Sequence, residues 1–310
     1  MKAIDLETIR RTIVFAELID TMKEALIAQA RGECDTPMPM HLGVAAEKAE
    51  IHVKGSTRAG AKCFAMKVAS TFPNNRGRGL STSNGMMLLF SAETGDPLAY
   101  FADRGEMTDL RTAAVSATMT RALGRRDETI GIIGAGIQGR LQAQMHAEVL
   151  PLKRIFIHDV VAERMENYAS DMKKLLPVVK VVACTSAVEL AANAKLIITV
   201  TPSRTPHFTA DNIRPGTQIN AVGADTSGKN ELDPDILKQA TLLLVDSVSQ
   251  CERLGELQHA PDARNKAVEM GTYLASPTPV DVDAVTVADF TGLGVEDLFI
   301  AQYVYEHLAE

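Results

Sequence analysis

No run of apolar residues in this 310-residue sequence approaches the ~18–20 needed to cross a bilayer. The most apolar stretch, 187–202, is interrupted by Glu189, Asn193 and Lys195. The opening MKAIDLETIRRT is charged throughout and has no apolar segment of the secretory type, so no signal peptide is expected. Cysteine is scarce: Cys34, Cys63, Cys184 and Cys251 stand far apart, with no CxxC pair and no Cys/His cluster. That spacing argues against a disulfide framework or a metal site, and reads as free thiols in a reduced, cytoplasmic setting. Positive charge is also in deficit. Lys and Arg total 32 against 39 Asp and Glu, a net charge of −7. An acidic surface argues against nucleic acid or anionic lipid as the main partner, and still leaves room for a local basic pocket that holds a small anion.

What is present is ordinary globular composition, 46% apolar and 23% charged, at a length that suits about two domains. Residues 5–31 carry helical periodicity that stops at Gly32. Between Cys34 and Asp103 short apolar segments alternate with turn signals such as Ser83-Asn84-Gly85, which predicts strands joined by hairpins. Gly105 to Gly124 reads as helix again. Six continuously apolar runs follow, beginning at Thr129, Arg154, Lys180, Lys195, Thr217 and Thr241 and mostly separated by helical segments. Runs apolar on both faces and spaced by helices predict a parallel sheet covered on both sides, and six match a Rossmann count. The last ~30 residues read as two short helical pieces that return to the first domain.

The first of these runs leads directly into Gly134-Ala135-Gly136-Ile137-Gln138-Gly139, and a helix follows. Strand, glycine turn and helix in that order form a dinucleotide cradle: Gly134 for the tight turn, Gly136 for backbone approach to the pyrophosphate, Gly139 for close packing. Asp159 ends the second run, where a carboxylate accepts from a ribose 2′-OH and repels a 2′-phosphate. NAD is therefore favoured over NADP, with Arg164, one turn into the next helix, read as part of a solvated face.

Hydride-transfer chemistry also needs a proton donor or acceptor and a cation for an anionic substrate. Lys67 interrupts an apolar strand, and Arg111 stands among small residues on a helix; each could equally be an ordinary ion-pair or surface residue. Asp225 and Lys229 follow the fifth run and Thr201 ends the fourth, at the strand ends where open α/β sheets bind ligands. His146, His158 and His259 have no partner at ligand spacing, whereas His41 and His52 could face a pocket.

Taken together, Lys67, the segment Gly79 to Gly85, the helix Leu110 to Ala114, the turn Gly134 to Gly139 and Gly223 to Lys229 occur in an order that resembles the ornithine cyclodeaminase/mu-crystallin family. Asp289, Thr291 and Gly292 extend the resemblance almost to the end of the chain. It implies an α/β architecture: a Rossmann, doubly wound NAD-binding domain at 116–284, and a smaller α+β substrate-binding and dimerisation domain at 1–115 completed by 285–310. It implies a homodimer. It also implies that Lys67 and Asp225 are catalytic, and that Thr82, Arg111, Ile137, Gln138, Asp159, Thr201, Val222 and Lys229 contact the cofactor. Phe290 stands where the family has a cofactor-touching serine, and Thr291 is placed near the substrate.

Departures fall in the substrate half. The family's substrate arginine is missing from Pro37-Met38-Pro39-Met40-His41, so Arg58, Lys54 or His41 is expected to complete the carboxylate clamp with Lys67 and Arg111. The expected function is an NAD-dependent oxidoreductase acting on the C–N bond of a small α-amino or α-imino acid. The alternatives are ornithine cyclodeamination to proline and ammonia, and a protein that binds nicotinamide without turnover.

Overall fold

The computed structural model describes residues 1–308. The chain forms two compact units: Met1–Thr112 with the segment from Leu293 onward, and Ala113–Gly292.

The first unit is a seven-stranded sheet made of β1 (Lys2–Asp5), β2 (Cys34–Asp35), β3 (Met40–Val44), β4 (Ala49–Arg58), β5 (Cys63–Thr71), β6 (Ser83–Ser91) and β7 (Pro97–Ala102). β4 to β7 form an antiparallel meander, β2 and β3 both pair with β4, and β1 joins β7 in parallel. Strand alternation turns Lys54 and Ser56 of β4, Ala65 and Lys67 of β5, and Met87 and Leu89 of β6 to the buried face. The periodic stretch 5–31 is two helices, α1 (Leu6–Thr12) and α2 (Phe15–Ala30). The break at Ile13–Val14 is filled by Tyr303, whose hydroxyl accepts from Val14 N at 3.3 Å and donates to Glu17 at 2.7 Å. Next comes α3 (Glu106–Ala122), where the chain passes from the first unit to the second.

The second unit is an eight-stranded, all-parallel sheet made of β8 (Thr129–Ile133), β9 (Arg154–His158), β10 (Lys180–Ala183), β11 (Leu196–Thr199), β12 (Gln218–Ala221), β13 (Leu242–Val245), β14 (Ala267–Glu269) and β15 (Thr286–Asp289). Its order is β10-β9-β8-β11-β12-β15-β13-β14. The intervening helices are α4 (Ile137–Ala147), α5 (Ala162–Leu175), α6 (Ala187–Asn193), α7 (Pro234–Gln239), α8 (Val248–Leu254) and α9 (Met270–Ala275). Two strands exceed the expected six. β15 wedges between β12 and β13, so residues 286–292 belong to this unit and not to the first domain. β12 is wholly buried although half polar, because Asn220 donates to Ser116 Oγ at 2.9 Å and Gln218 to Thr120 Oγ1 at 3.3 Å on α3.

The final helix, α10 (Gly294–His307), returns to the first unit and packs on α2, β4, β5 and β6. One strand and one long helix thus replace the two short helical pieces expected for the C-terminal segment. A Cβ at Gly294 would collide with the Gly55 carbonyl, so the residue must be small for the helix start to reach β4. No helix among the described residues is long and apolar enough to cross a membrane.

Candidate functional site

In the first unit, α10 delivers two acids to the buried face of the sheet. Lys67 Nζ is 2.8 Å from Asp297, and Arg111 reaches Asp297 through Nε at 3.1 Å and Glu296 through Nη1 at 2.6 Å. Glu296 Oε1 also accepts from Leu293 N at 3.1 Å, which locks the helix start. All four side chains are buried. Asp103 accepts from Met107 N at 2.9 Å and fixes the first turn of α3, the helix that carries Arg111. Burial and the neighbouring Arg111 guanidinium pull Lys67 down to about 7, against the pull of Asp297. Against the upward push of burial, Lys67, Arg111 and Lys54 hold Asp297 below the usual carboxylate range.

The three cations expected to complete the clamp have different fates. Lys54 is directly opposite Lys67 in the β4–β5 register and is buried. His41 is exposed and packs edge-on to His52, its partner on β4, with ring centroids 4.3 Å apart. Arg58 is excluded: it pairs with Glu33 at 2.9 Å and lies over the Phe299 ring, four residues and so about 13 Å along the strand from Lys54. Thr82 lies on the loop before β6, where its carbonyl accepts from Phe72 N at 2.8 Å.

In the second unit the dinucleotide turn has the expected form. Gly134 adopts φ 114° and donates to His158 O at 2.8 Å, and a Cβ at Gly139 would collide with the Gly134 carbonyl. Gly136 is the N-cap of α4 and has no side chain to cap it, and space for a Cβ there is open. Ile137 and Gln138 occupy the first turn of that helix, and Ile137 is exposed. A helix N-terminus left open beside a close backbone turn fits a pyrophosphate. Asp159 accepts from Ala135 N at 3.0 Å and Val161 N at 2.9 Å, which fixes the carboxylate beside the turn. Arg164 is not merely solvated: its guanidinium is 3.5 Å from Asp159. Arg140, which the sequence did not single out, donates to Ala135 O at 2.6 Å and Gly136 O at 3.0 Å and so clamps the turn from behind.

Thr201, Val222 and Phe290 lie just beyond the C-terminal ends of β11, β12 and β15, three neighbouring strands. Val222 and Phe290 are buried, and both are pinned by their backbone amides, to Thr199 O at 2.9 Å and Ala221 O at 3.0 Å. Asp225 is half exposed on the loop after β12, where it takes Lys229 Nζ at 2.5 Å and Thr226 Oγ1 at 3.1 Å. Thr291 is buried: its hydroxyl donates to Asp246 at 2.8 Å and accepts from Gln250 at 2.9 Å, so it anchors the strand end and presents no free hydroxyl.

Beneath these loops runs a file of buried acids that spacing alone did not reveal. Glu231 N and Leu232 N donate to Glu256, Glu256 N and Leu257 N donate to Asp289, and Thr291 N and Gly292 N donate to Asp246. Each carboxylate ties together backbone segments far apart in the chain. Burial, with Glu231 and Asp289 nearby, pushes Glu256 well above the usual range, and burial raises Asp289 to about 7. Among the described residues no group of three or more His, Cys, Asp or Glu side chains is arranged to hold a metal ion.

A doubly wound parallel sheet with this glycine turn and carboxylate defines a dinucleotide-binding protein, joined here to an α+β unit with a buried cationic cluster. The sequence profile of the ornithine cyclodeaminase/mu-crystallin family matches residues 3–310, and the chain belongs to that family. It is 33% identical over 263 residues to the iminosuccinate reductase of Paracoccus denitrificans, covering 82% of this chain and 79% of that protein. The structure of Thermococcus litoralis Δ1-pyrroline-2-carboxylate reductase with NADH and L-proline matches with a TM-score of 0.93 at 26% identity, over 100% of this chain and 98% of that one. An archaeal alanine dehydrogenase dimer with bound NAD matches with a TM-score of 0.89 at 27% identity, over 99% and 95% of the two chains.

Proposed function

We propose that this protein is an NAD-dependent oxidoreductase that interconverts a small α-imino acid and the corresponding α-amino acid. The observation that carries the reading is the presence, in one chain, of an open dinucleotide turn and a buried Lys67–Arg111 pair set by carboxylates. The relatives that reduce pyrroline-2-carboxylate or iminosuccinate, or dehydrogenate alanine, act on the same C–N unit.

Residues Gly134 to Gly139 would hold the diphosphate at the start of α4, and Asp159 would take the ribose hydroxyls, which favours NAD over NADP. When bound, the cofactor would supply hydride-transfer chemistry for the substrate C–N unit. Lys67 and Arg111 bind the α-carboxylate, already oriented by Asp297 and Glu296, with Lys54 adding charge from the next strand. Because Lys67 titrates near about 7, it can hold or release a proton at Nζ under ordinary conditions. Asp225 moves the proton at the substrate nitrogen, with Lys229 keeping its carboxylate in place.

A homodimer suits the first unit. Met40 and Leu42 of β3, Met66 of β5 and Met86 of β6 are exposed on that sheet, and an apolar sheet surface of that kind is a surface for a second copy. The archaeal alanine dehydrogenase is itself described as a dimer. Four free cysteines, three of them buried, suit the cytoplasm.

The test is absorbance at 340 nm with NADH and cyclic ketimines, or 2-oxo acids with ammonia, and in the reverse direction NAD with amino acids. Stoichiometric NADH change is expected, and Asp225→Asn should abolish it while NADH still binds. Proline and ammonia formed from ornithine without net NADH change would replace this reading with cyclodeamination.

A further inference from the structure

Glu231 is wholly buried and accepts from two adjacent strand ends at once. Its Oε1 takes the Thr201 amide and the Thr201 hydroxyl, each at 2.7 Å. Its Oε2 takes the Thr199 hydroxyl at 2.7 Å and the Gly223 amide at 2.8 Å. Thr199 ends β11 and Thr201 lies just beyond it, while Gly223 follows β12, its neighbour. The Glu231 backbone extends the same tie: its carbonyl accepts from His207 N at 2.9 Å, and its amide is held by Glu256 at 2.8 Å. Since the Thr201 proton goes to Glu231, His207 Nε2, 2.9 Å from the same hydroxyl, must be the donor to it.

Only a carboxylate satisfies this arrangement. Glutamine would keep one acceptor oxygen and turn its NH2 toward two donors, one of them a backbone N–H that cannot reverse. The two loops tied together lie at the C-terminal ends of the strands beyond the point where the sheet order reverses between β8 and β11, which is where open α/β sheets bind ligands.

We propose that Glu231 is a positioning residue for the nicotinamide end of the cofactor site, acting through Thr201 and Gly223 without touching the dinucleotide. The inference rests on the dinucleotide-binding reading above. It is tested by NADH fluorescence titration of the full-length chain well below its unfolding temperature. Glu231→Gln is expected to weaken NADH about tenfold to a hundredfold, because buried donors lose their acceptor. Thr201→Val should weaken it by less, and the double variant should bind no worse than Glu231→Gln alone, since Thr201 is one of the two residues through which Glu231 acts.

A folded Glu231→Gln that binds NADH like wild type would overturn the proposal, as would losses that multiply in the double variant. If Glu231→Gln fails to fold, Thr199→Val reads the same tie, because its wholly buried side chain supports the carboxylate from within the unit. It should weaken NADH at least threefold, and unchanged affinity would overturn the proposal. Wild-type protein that does not bind NADH would instead remove the cofactor reading itself, and this inference with it.

Discussion

Lys67 Nζ and the Asp297 carboxylate meet at 2.8 Å, although 230 positions separate them in the chain. The pair is buried on both sides and shared with Arg111, so the lysine sits among charges that both restrain it and weaken its hold on a proton. A lysine kept in water would stay charged and serve only as a cation. Here its surroundings suit the two roles proposed for it, cation and proton store.

Replacing Lys67 by Met should lower turnover by about a hundredfold to ten-thousandfold while the NADH dissociation constant stays close to wild type. It should also cost about 3 kcal/mol of stability, at the lower end for a broken buried pair because Arg111 still neutralises Asp297. Steady-state rates, NADH titration and urea unfolding read the three quantities. Wild-type turnover would remove Lys67 from the chemistry.

The carboxylate binding proposed for Lys67 needs its protonated form, which is lost as pH rises through about 7. kcat/KM in the reducing direction should therefore fall across that region. Asp297→Asn removes the negative charge that favours the ammonium, so the limb should move to lower pH. A pH profile with the limb unmoved would assign it to another group.

The two clamp candidates on β4 should separate cleanly. Arg58→Ala removes an exposed pair with Glu33 and should leave kcat/KM within about twofold of wild type. Lys54→Met, at a buried position opposite Lys67, should raise the KM for the amino or imino acid by about tenfold or more. Equal effects from the two variants would contradict the register argument.

His146 is wholly buried, with Nδ1 2.8 Å from Gln142 O and Nε2 3.0 Å from Thr120 Oγ1. Burial lowers it from 6.5 to about 4, so the unfolded chain takes up a proton first as pH falls. Its contribution is intact above about 6.5 and is lost on acidification towards about 4, a total of about 3 kcal/mol. Urea unfolding of His146→Gln at pH ~7 and pH ~4.5 should show an acid loss smaller by nearly that amount. Parallel losses in both proteins would show that the histidine does not titrate in this window.

Local sequence was sufficient for features that depend on near neighbours. The glycine turn, the carboxylate Asp159 25 positions after Gly134, the runs that became β8 to β13 and helix α3 are short-range patterns, and they are legible because strand and helix periodicity act over a few residues. β15 was hidden because a strand inserted between β12 and β13 has no signature of its neighbours. The acids at 296 and 297 fall in the first turn of a helix and Glu231 on a loop, positions with no sequence signal of their own; only the fold sets them against buried donors. Lys54 and Arg58 share strand and face; only sheet register and the position of α10 put one beside Lys67 and the other at the rim. By itself the sequence determined the class of fold, the family and the dinucleotide turn, since these rest on local pattern. Tertiary structure alone decided which distant charges meet in a dry interior, because burying an ion forces a partner to be found, and that partner can come from anywhere in the chain.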